Sequence, residues 1–293
     1  MDKRIFQFLQ LGMAILVMSS SGTLARYIHL SPEVIIWARC AVGAVALFIF
    51  LKLAGMPTYI GWGKSFRMIV ISTVLMAGHW IAYFYGLKFT SVAIGMLSLH
   101  TYPVITALLE PVMMGHKHKM TDILIAVLAF SGVFFLVPEF DLNNDITLGI
   151  VCGVVSAVFY SVRNIMLKQN ITEHSGITLM YYQLLIIALF MWPVLYIGDF
   201  GANITGLTVQ WQPLLVLGLA TTALGHTLFV MSFRYFSITA ISIMSSMTPL
   251  CGIIIGYLVL VEVPEGKVLL GGAIILASVV IESIRASRIE VRR

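Results

Sequence analysis

The second half of this chain of 293 residues repeats its first half. Residues 89–103 (FTSVAIGMLSLHTYP) align without a gap with residues 235–249 (YFSITAISIMSSMTP), so that serine meets serine and proline meets proline. Residues 11–26 likewise align with 148–163, and both segments open on Leu-Gly and end on arginine. Each half contains five apolar stretches. An odd number of spans places the second copy upside down in a membrane relative to the first, as in many secondary transporters.

The composition excludes a soluble fold. The chain is 59% hydrophobic and 11% charged, and its mean hydropathy is +0.98, which is more apolar surface than a soluble core of this size can bury. The apolar stretches have about the length that a transmembrane helix needs. We therefore predict an all-α integral membrane protein of ten transmembrane helices, built as two inverted five-helix repeats over residues 1–140 and 146–293. The predicted spans are 6–25, 33–53, 67–87, 91–114, 121–138, 147–167, 177–198, 212–233, 239–260 and 267–285.

The distribution of lysine and arginine predicts the orientation of this stack. Most of the 18 basic residues fall on one side of the membrane if the N-terminus is cytoplasmic. This positive-inside pattern places both termini in the cytoplasm and the protein in a cell membrane, inner or plasma. The net charge of +5 is spread over short loops without an aromatic-basic motif, so no nucleic-acid partner is expected. The longest outer loops, 139–145 and 199–212, are expected to form turns.

The sequence lacks the usual signatures of enzymes and metalloproteins. It contains no P-loop and no GxSxG motif, which gives no support to ATP-driven pumping or serine hydrolysis. Its three cysteines are widely spaced inside apolar spans and are read as packing residues. His116 and His118 flank a lysine and are read as a solvated basic turn, not a metal site. We therefore predict no cofactor and no bound metal.

Two segments carry a resemblance to a known family. They are Gly86-Leu-Lys-Phe-Thr-Ser-Val-Ala, continuing to Pro103, and Phe233-Arg-Tyr-Phe-Ser, continuing to Thr248-Pro249. Each precedes an apolar run, a short polar turn and a further helix, and the second copy has the acidic turn residue Glu262. With the ten spans and the two halves, this pattern resembles the EamA-type branch of the drug/metabolite transporter superfamily. Arg39 matches an arginine common in its second helix.

The resemblance implies that helices one, three, four, six, eight and nine surround a central cavity. Polar and aromatic residues inside these helices are the best binding candidates, because polar groups are costly inside a membrane unless they face protein or water. In place of the tryptophan often found in the first helix, the chain has Ser19-Ser20-Ser21-Gly22. The predicted substrate-binding residues are His79, Trp80, Tyr83, His100, Tyr102, Tyr160, Asn164, His226 and Thr248.

Three charged residues are candidates for coupling or gating, namely Glu110, Arg39 and Arg163. Glu110 continues a helical stripe from His100, and a gating role competes with a structural ion pair to an inner loop. The two arginines also have a structural interpretation as snorkelling or pairing residues. The same holds for the histidines and aromatic residues, which can bond a neighbouring helix or simply pack. Pro103 and Pro249 are expected to interrupt their helices.

The predicted function is a secondary transporter that moves a small organic solute, an amino acid or related metabolite, by alternating access. The aromatic and histidine content favours a solute with a planar or cationic group. Histidine titrates near physiological pH, which allows proton coupling, and facilitated diffusion is equally admissible. A channel or lipid scramblase is the main alternative, and an intramembrane enzyme is a weaker one. Apart from the bilayer and the solute no partner is expected, and a monomer is compatible with the sequence.

Overall fold

The computed structural model describes residues 3–61, 63–113, 115, 120–137, 141, 144–170 and 175–290. Across these ranges the regular structure is helical throughout, as the apolar composition predicts. Fourteen α-helices are numbered in chain order, and a π-helical segment, Leu217–His226, joins α10 to α11. The α-helices are α1 (Lys3–Tyr27), α2 (Pro32–Leu53), α3 (Lys64–Phe89), α4 (Val92–Leu99), α5 (Tyr102–Met113), α6 (Met120–Leu136), α7 (Asp145–Asn170), α8 (Gly176–Met191), α9 (Phe200–Val209), α10 (Trp211–Val216), α11 (Thr227–Ser232), α12 (Ile238–Ser245), α13 (Met247–Leu260) and α14 (Gly266–Glu290).

The helices give a multi-pass membrane protein. Within the described residues, seven segments are long and apolar enough to cross a bilayer, and α6 and α13 are shorter apolar helices. The other three predicted spans coincide in sequence with α6, with α12 and α13 together, and with α14. The seven segments are Ile5–Tyr27, Pro32–Leu53, Phe66–Phe89, Val92–Met113, Asp145–Lys168, Gly176–Tyr196 and Trp211–Ser232.

Two spans are interrupted near their middle, as the prolines predict. The first break separates α4, which ends at Leu99, from α5, which begins at Tyr102. The second separates α12 from α13 at Ser246. Pro103 and Pro249 lie in the first turn of the helix after each break, where a missing N–H costs least. The shift in residue number that aligns residues 89–103 with 235–249 also superimposes the bounds of α4 on those of α12.

Several of the main helix contacts are preserved when the two halves are exchanged. Exchange maps the contact of α3 with α7 onto that of α1 with the π segment and α11. It also maps the contact of α1 with α13 onto that of α7 with α4 and α5. The pairs α2–α8 and α6–α14 map onto themselves. Backbones come close at these contacts, since a Cβ atom on Gly132 in α6 would lie 2.8 Å from the Gly271 carbonyl oxygen of α14.

In each half a basic side chain joins two helix ends, and the carbonyl groups that accept from these side chains occupy equivalent positions. In the first half, Arg26 Nη1 donates to the Leu87 carbonyl (3.0 Å), and in the second, Lys168 Nζ donates to the Phe233 carbonyl (2.6 Å). Leu87 and Phe233 occupy equivalent positions in the aligned halves. Arg26 also forms an ion pair with Glu262 at 3.0 Å, and the second carboxylate oxygen of Glu262 accepts from the Val92 backbone N–H at 2.8 Å.

One expected loop is a helix. The 199–212 segment was predicted to form turns, but residues Phe200–Val209 form α9. Asp199 explains the difference, because its carboxylate accepts from the backbone N–H groups of Gly201 (2.8 Å) and Ala202 (3.2 Å) and so caps the helix. Much of the other long loop, 139–145, and the turn with His116 and His118 lie outside the described residues.

Candidate functional site

A central cavity holds most of the predicted binding residues. Its walls come from α1, α3, the α4–α5 break, α7, the π segment with α11, and the α12–α13 break. These elements correspond to the six helices that the family resemblance implies. The lining residues are Ile15, Met18, Ser21, His79, Trp80, Tyr83, Met96, Leu99, His100, Tyr102, Tyr160, His226, Phe229, Ser245 and Thr248.

His79 joins the cavity wall of α3 to α7. Its Nδ1 lies 2.7 Å from the hydroxyl oxygen of Ser156, and that hydroxyl donates to the His79 carbonyl at 2.9 Å. Because the serine proton is used in this way, Nδ1 of the histidine must be the donor in the first contact. The imidazole ring also stacks on Tyr160, with ring centroids 4.5 Å apart. His79 is therefore held in one tautomer and orientation by α7.

His100 bridges the two interrupted spans. It caps the C-terminal end of α4, and its Nδ1 lies 2.8 Å from the Met96 carbonyl oxygen. Its Nε2 lies 3.2 Å from the carbonyl oxygen of Ser245, at the end of α12. Both neighbours are acceptors, so a neutral imidazole satisfies only one of them at a time and a protonated ring satisfies both. The protonation state of His100 is thus linked to the contact between the two breaks.

Trp80 lies between the cavity and a buried arginine. Its indole ring lines the cavity and is only 1% exposed. The guanidinium carbon of Arg39 lies 4.4 Å from the Trp80 ring centroid, which is a cation–π contact. The ring of His226 meets the same indole edge-on, with centroids 5.2 Å apart. Arg39 does not line the cavity itself.

The π segment supplies the hydrogen-bond partners of Arg39. Nε donates to the hydroxyl of Thr222 at 2.7 Å, and Nη2 donates to the hydroxyl of Thr221 at 3.2 Å. Both threonine hydroxyls donate in turn to the Leu217 carbonyl at 2.7 Å. A longer bond of 3.4 Å runs from Nη1 to the hydroxyl of Ser21, which lines the cavity. π-Helical turns are rare and are frequent at functional sites.

Arg163 is buried on the α7–α8 side, one helical turn from Tyr160. Its Nη2 donates to the side-chain oxygen of Gln183 at 2.7 Å, and its Nη1 donates to Asn164 Oδ1 at 3.2 Å. The amide of Gln183 then donates to Ser72 in α3 at 2.7 Å. Asn164 is thus a neighbour of Arg163 and does not line the cavity, unlike the other predicted binding residues.

Glu110 lies apart from this cluster. It belongs to α5, two helical turns beyond the break, and is partly exposed. It does not line the cavity. Within the described part of the chain, no three His, Cys, Asp or Glu side chains come together as metal ligands would.

Sequence reasoning missed several lining residues. Phe229 occupies the position in the second half that matches Tyr83 in the first, so the internal alignment carried a signal for it, and Ser245 is a polar residue inside a predicted span. Ser21 was noted only as part of a serine run. The other missed residues are apolar and gave no signal that distinguishes a cavity wall from ordinary packing, namely Ile15, Met18, Met96 and Leu99.

Comparison with known proteins agrees with the fold. The EamA-like transporter family matches this chain twice, over residues 8–137 and 147–284. An uncharacterized transporter of Archaeoglobus fulgidus is 27% identical over 68% of this chain and 70% of its own length. The pseudopaline exporter CntI of Pseudomonas aeruginosa is 22% identical over 83% of each chain. A solved crystal structure shares the fold with a TM-score of 0.69 at 14% identity, over 97% of this chain and 98% of that chain. The chain therefore belongs to the EamA-like transporter family, and it is a multi-pass membrane transporter of the drug/metabolite transporter kind.

Proposed function

We propose that this protein is a secondary transporter that carries a small organic solute through its central cavity by alternating access. Its ten spans would form two inverted five-helix repeats, residues 1–140 and 146–293. The observation that carries the proposal is the place of the cavity, which lies where the two halves meet and is lined by equivalent positions from both. In inverted-repeat transporters the binding site lies at such an interface, and one half rocks against the other around it.

Equivalent positions of the two halves line the cavity. Trp80 and His226 match in the aligned halves, and their rings are in contact. Three further matched pairs line the same space, namely Tyr83 with Phe229, Leu99 with Ser245, and Tyr102 with Thr248. This arrangement is what a pseudo-two-fold axis through the cavity would produce.

The solute that best suits this cavity is a small metabolite with a planar group, such as an amino acid or a related compound. Aromatic and imidazole rings line much of the wall, and they stack on planar groups. We assign substrate contact to the predicted residues that line the cavity and leave Asn164 and Arg163 as their support.

Uptake measurements test this function directly. Purified full-length protein in liposomes is expected to take up a labelled amino acid or related metabolite in a saturable way, and an unlabelled excess of the same solute should compete. The control is the Trp192→Ala variant, because Trp192 is 52% exposed and does not line the cavity. Flux that rises linearly with concentration and resists competition would favour a channel, and lipid movement without solute flux would favour a scramblase.

The ten-span arrangement predicts which ends share a side. With both termini cytoplasmic, Arg26 and its ion-pair partner Glu262 both lie on the predicted outer side, and Arg285 and its partner Asp122 both lie on the inner side. A reporter fused after Arg293 and one inserted in residues 199–211 are expected to give opposite sides of the cell membrane. The same side for both would exclude the ten-span arrangement.

A further inference from the structure

We infer that the transported solute carries a negatively charged group, a carboxylate or a related anion, and that the two buried arginines select it. This inference rests on the proposed transport function, and it narrows the class of solute that the protein would carry. It starts from the side chains of Arg39 and Arg163, both of which are 0% exposed.

Neither arginine has an acidic partner in the described part of the chain. The groups that accept from Arg39 are the hydroxyls of Ser21, Thr221 and Thr222. Those that accept from Arg163 are the amide oxygens of Asn164 and Gln183 and the sulfur of Met180. The ion pairs found in the described residues involve Arg26 and Arg285 instead. Two positive charges are therefore buried among neutral groups.

The cavity itself adds no negative charge. Its lining contains hydroxyl, imidazole, aromatic and aliphatic groups, and no carboxylate. Burying an unpaired charge is costly, and a charge inside a membrane span is a sign of function more than of stability. An anion in the cavity would offset part of this cost, because electrostatic attraction is strong where water is scarce. A cation would be repelled by both arginines.

Polar groups at the wall are also available to receive such an anion. The Nδ1 of His226 and the hydroxyl of Ser245 have no hydrogen-bond partner among the described residues, and each side chain is only 4% exposed. Both side chains line the cavity. Buried polar groups are usually paired, so two unpaired ones at a cavity wall indicate that a ligand completes them. An anionic oxygen would accept from either group.

These contacts change one expectation taken from the sequence. Histidine and aromatic residues favoured a planar or cationic solute. The aromatic wall still suits a planar group, but the side chain that occupies a face of Trp80 is Arg39 of the protein itself. The cation–π contact is thus already made within the fold, and the solute supplies the opposite charge.

A panel of matched compounds tests the charge preference. Each aromatic ring is tested on purified full-length protein as a carboxylate, an amide and an amine. The indole series is indole-3-acetate, indole-3-acetamide and tryptamine, and a phenyl series is tested in parallel. Binding is measured by thermal shift and by competition with the labelled solute in liposomes. We expect the carboxylates to bind about tenfold or more tighter than the amides, and the amines to bind weakest.

Variants at Ser21 test the origin of this preference without removing an arginine. Ser21→Asp places a carboxylate beside Arg39, and Ser21→Asn has nearly the same shape without the charge. The aspartate variant is expected to lose the preference for carboxylate over amide by about tenfold, whereas the asparagine variant should keep it within about threefold. Arg39→Gln is expected to act like Ser21→Asp, and Arg39→Lys should keep most of the preference.

The readout is the ratio of carboxylate to amide binding, which a purely structural arginine would not change. If Arg39→Gln and Ser21→Asp alter only the melting temperature and leave this ratio intact, the inference is wrong. Equal or tighter binding of the amines would also overturn it, and the transport function would stand. If no ring binds in any form and uptake is not saturable, the proposed function fails as well.

Discussion

Replacing Trp80 by alanine is expected to lower the stability of the protein by about 3–5 kcal/mol and to weaken solute binding by about 1–3 kcal/mol. The stability loss follows from the burial of the indole, which is 1% exposed, and from the cation–π contact that it gives Arg39 at 4.4 Å. The binding loss follows from its place in the cavity wall beside His226. Thermal unfolding and solute binding, both measured on purified protein, report the two effects separately.

Two controls separate the roles of Trp80. Trp80→Phe keeps a ring for Arg39 and for the solute, so it should retain much of the binding. Trp192→Ala removes an indole that is 52% exposed and should leave binding unchanged. Tyr83→Ala is expected to weaken binding by a similar 1–3 kcal/mol if Tyr83 stacks on the solute. If the Trp80→Ala variant folds correctly and binds solute as tightly as the parent protein, Trp80 has only a packing role.

If transport is coupled to protons, replacing His100 by glutamine is expected to remove most of the pH dependence of uptake across the range in which His100 titrates. His100 faces carbonyl oxygens of Met96 and Ser245, at 2.8 and 3.2 Å, and so bridges the breaks of the two halves. Protonation supplies the second N–H donor, so this bridge strengthens as the pH falls. Glutamine can still donate a hydrogen bond to one carbonyl but does not titrate in this range. Initial uptake rates across the pH range, with Trp192→Ala as the control, give the comparison.

The other titratable candidates need parallel variants. His79→Gln and His226→Gln remove the remaining cavity imidazoles, and Glu110→Gln removes the carboxylate of α5. His79 is held by Ser156 and Tyr160, so its loss should disturb the packing of α3 on α7 more than the pH response. If the pH profile survives in all four variants, the transporter is better described as a uniporter or as coupled to another ion.

The fold could be read from the sequence because each half states the same pattern. Apolar stretches of spanning length, paired with a gap-free alignment around Pro103 and Pro249, were enough to predict helical spans and the two interruptions. The exception was α9, where one capping residue, Asp199, converts a segment rich in turn-forming residues into a helix. Such a cap acts through two backbone N–H groups and leaves no periodic signal in the sequence.

The cavity was predictable only in part. Polar and aromatic residues are rare inside transmembrane spans, and most of the residues predicted on this basis do line the cavity. The role of the two buried arginines was harder to predict, because it depends on which side chains lie beside them. Only the structure shows that Arg39 meets three hydroxyls and an indole, and that Asn164 turns towards Arg163. Neighbours that come from distant helices cannot be inferred from one sequence.

If the proposed alternating-access cycle operates, the matched pairs that line the cavity have a consequence for its energy. Two identical inverted repeats could exchange conformations at no cost, so the states open to either side would have the same free energy. Here the matched positions hold unlike residues, namely Trp80 and His226, Tyr83 and Phe229, and Tyr102 and Thr248. These unlike partners remove that degeneracy, so the empty carrier would rest with one side favoured. They would also fix the orientation of the solute in the site, because a solute that is turned end for end would contact different side chains.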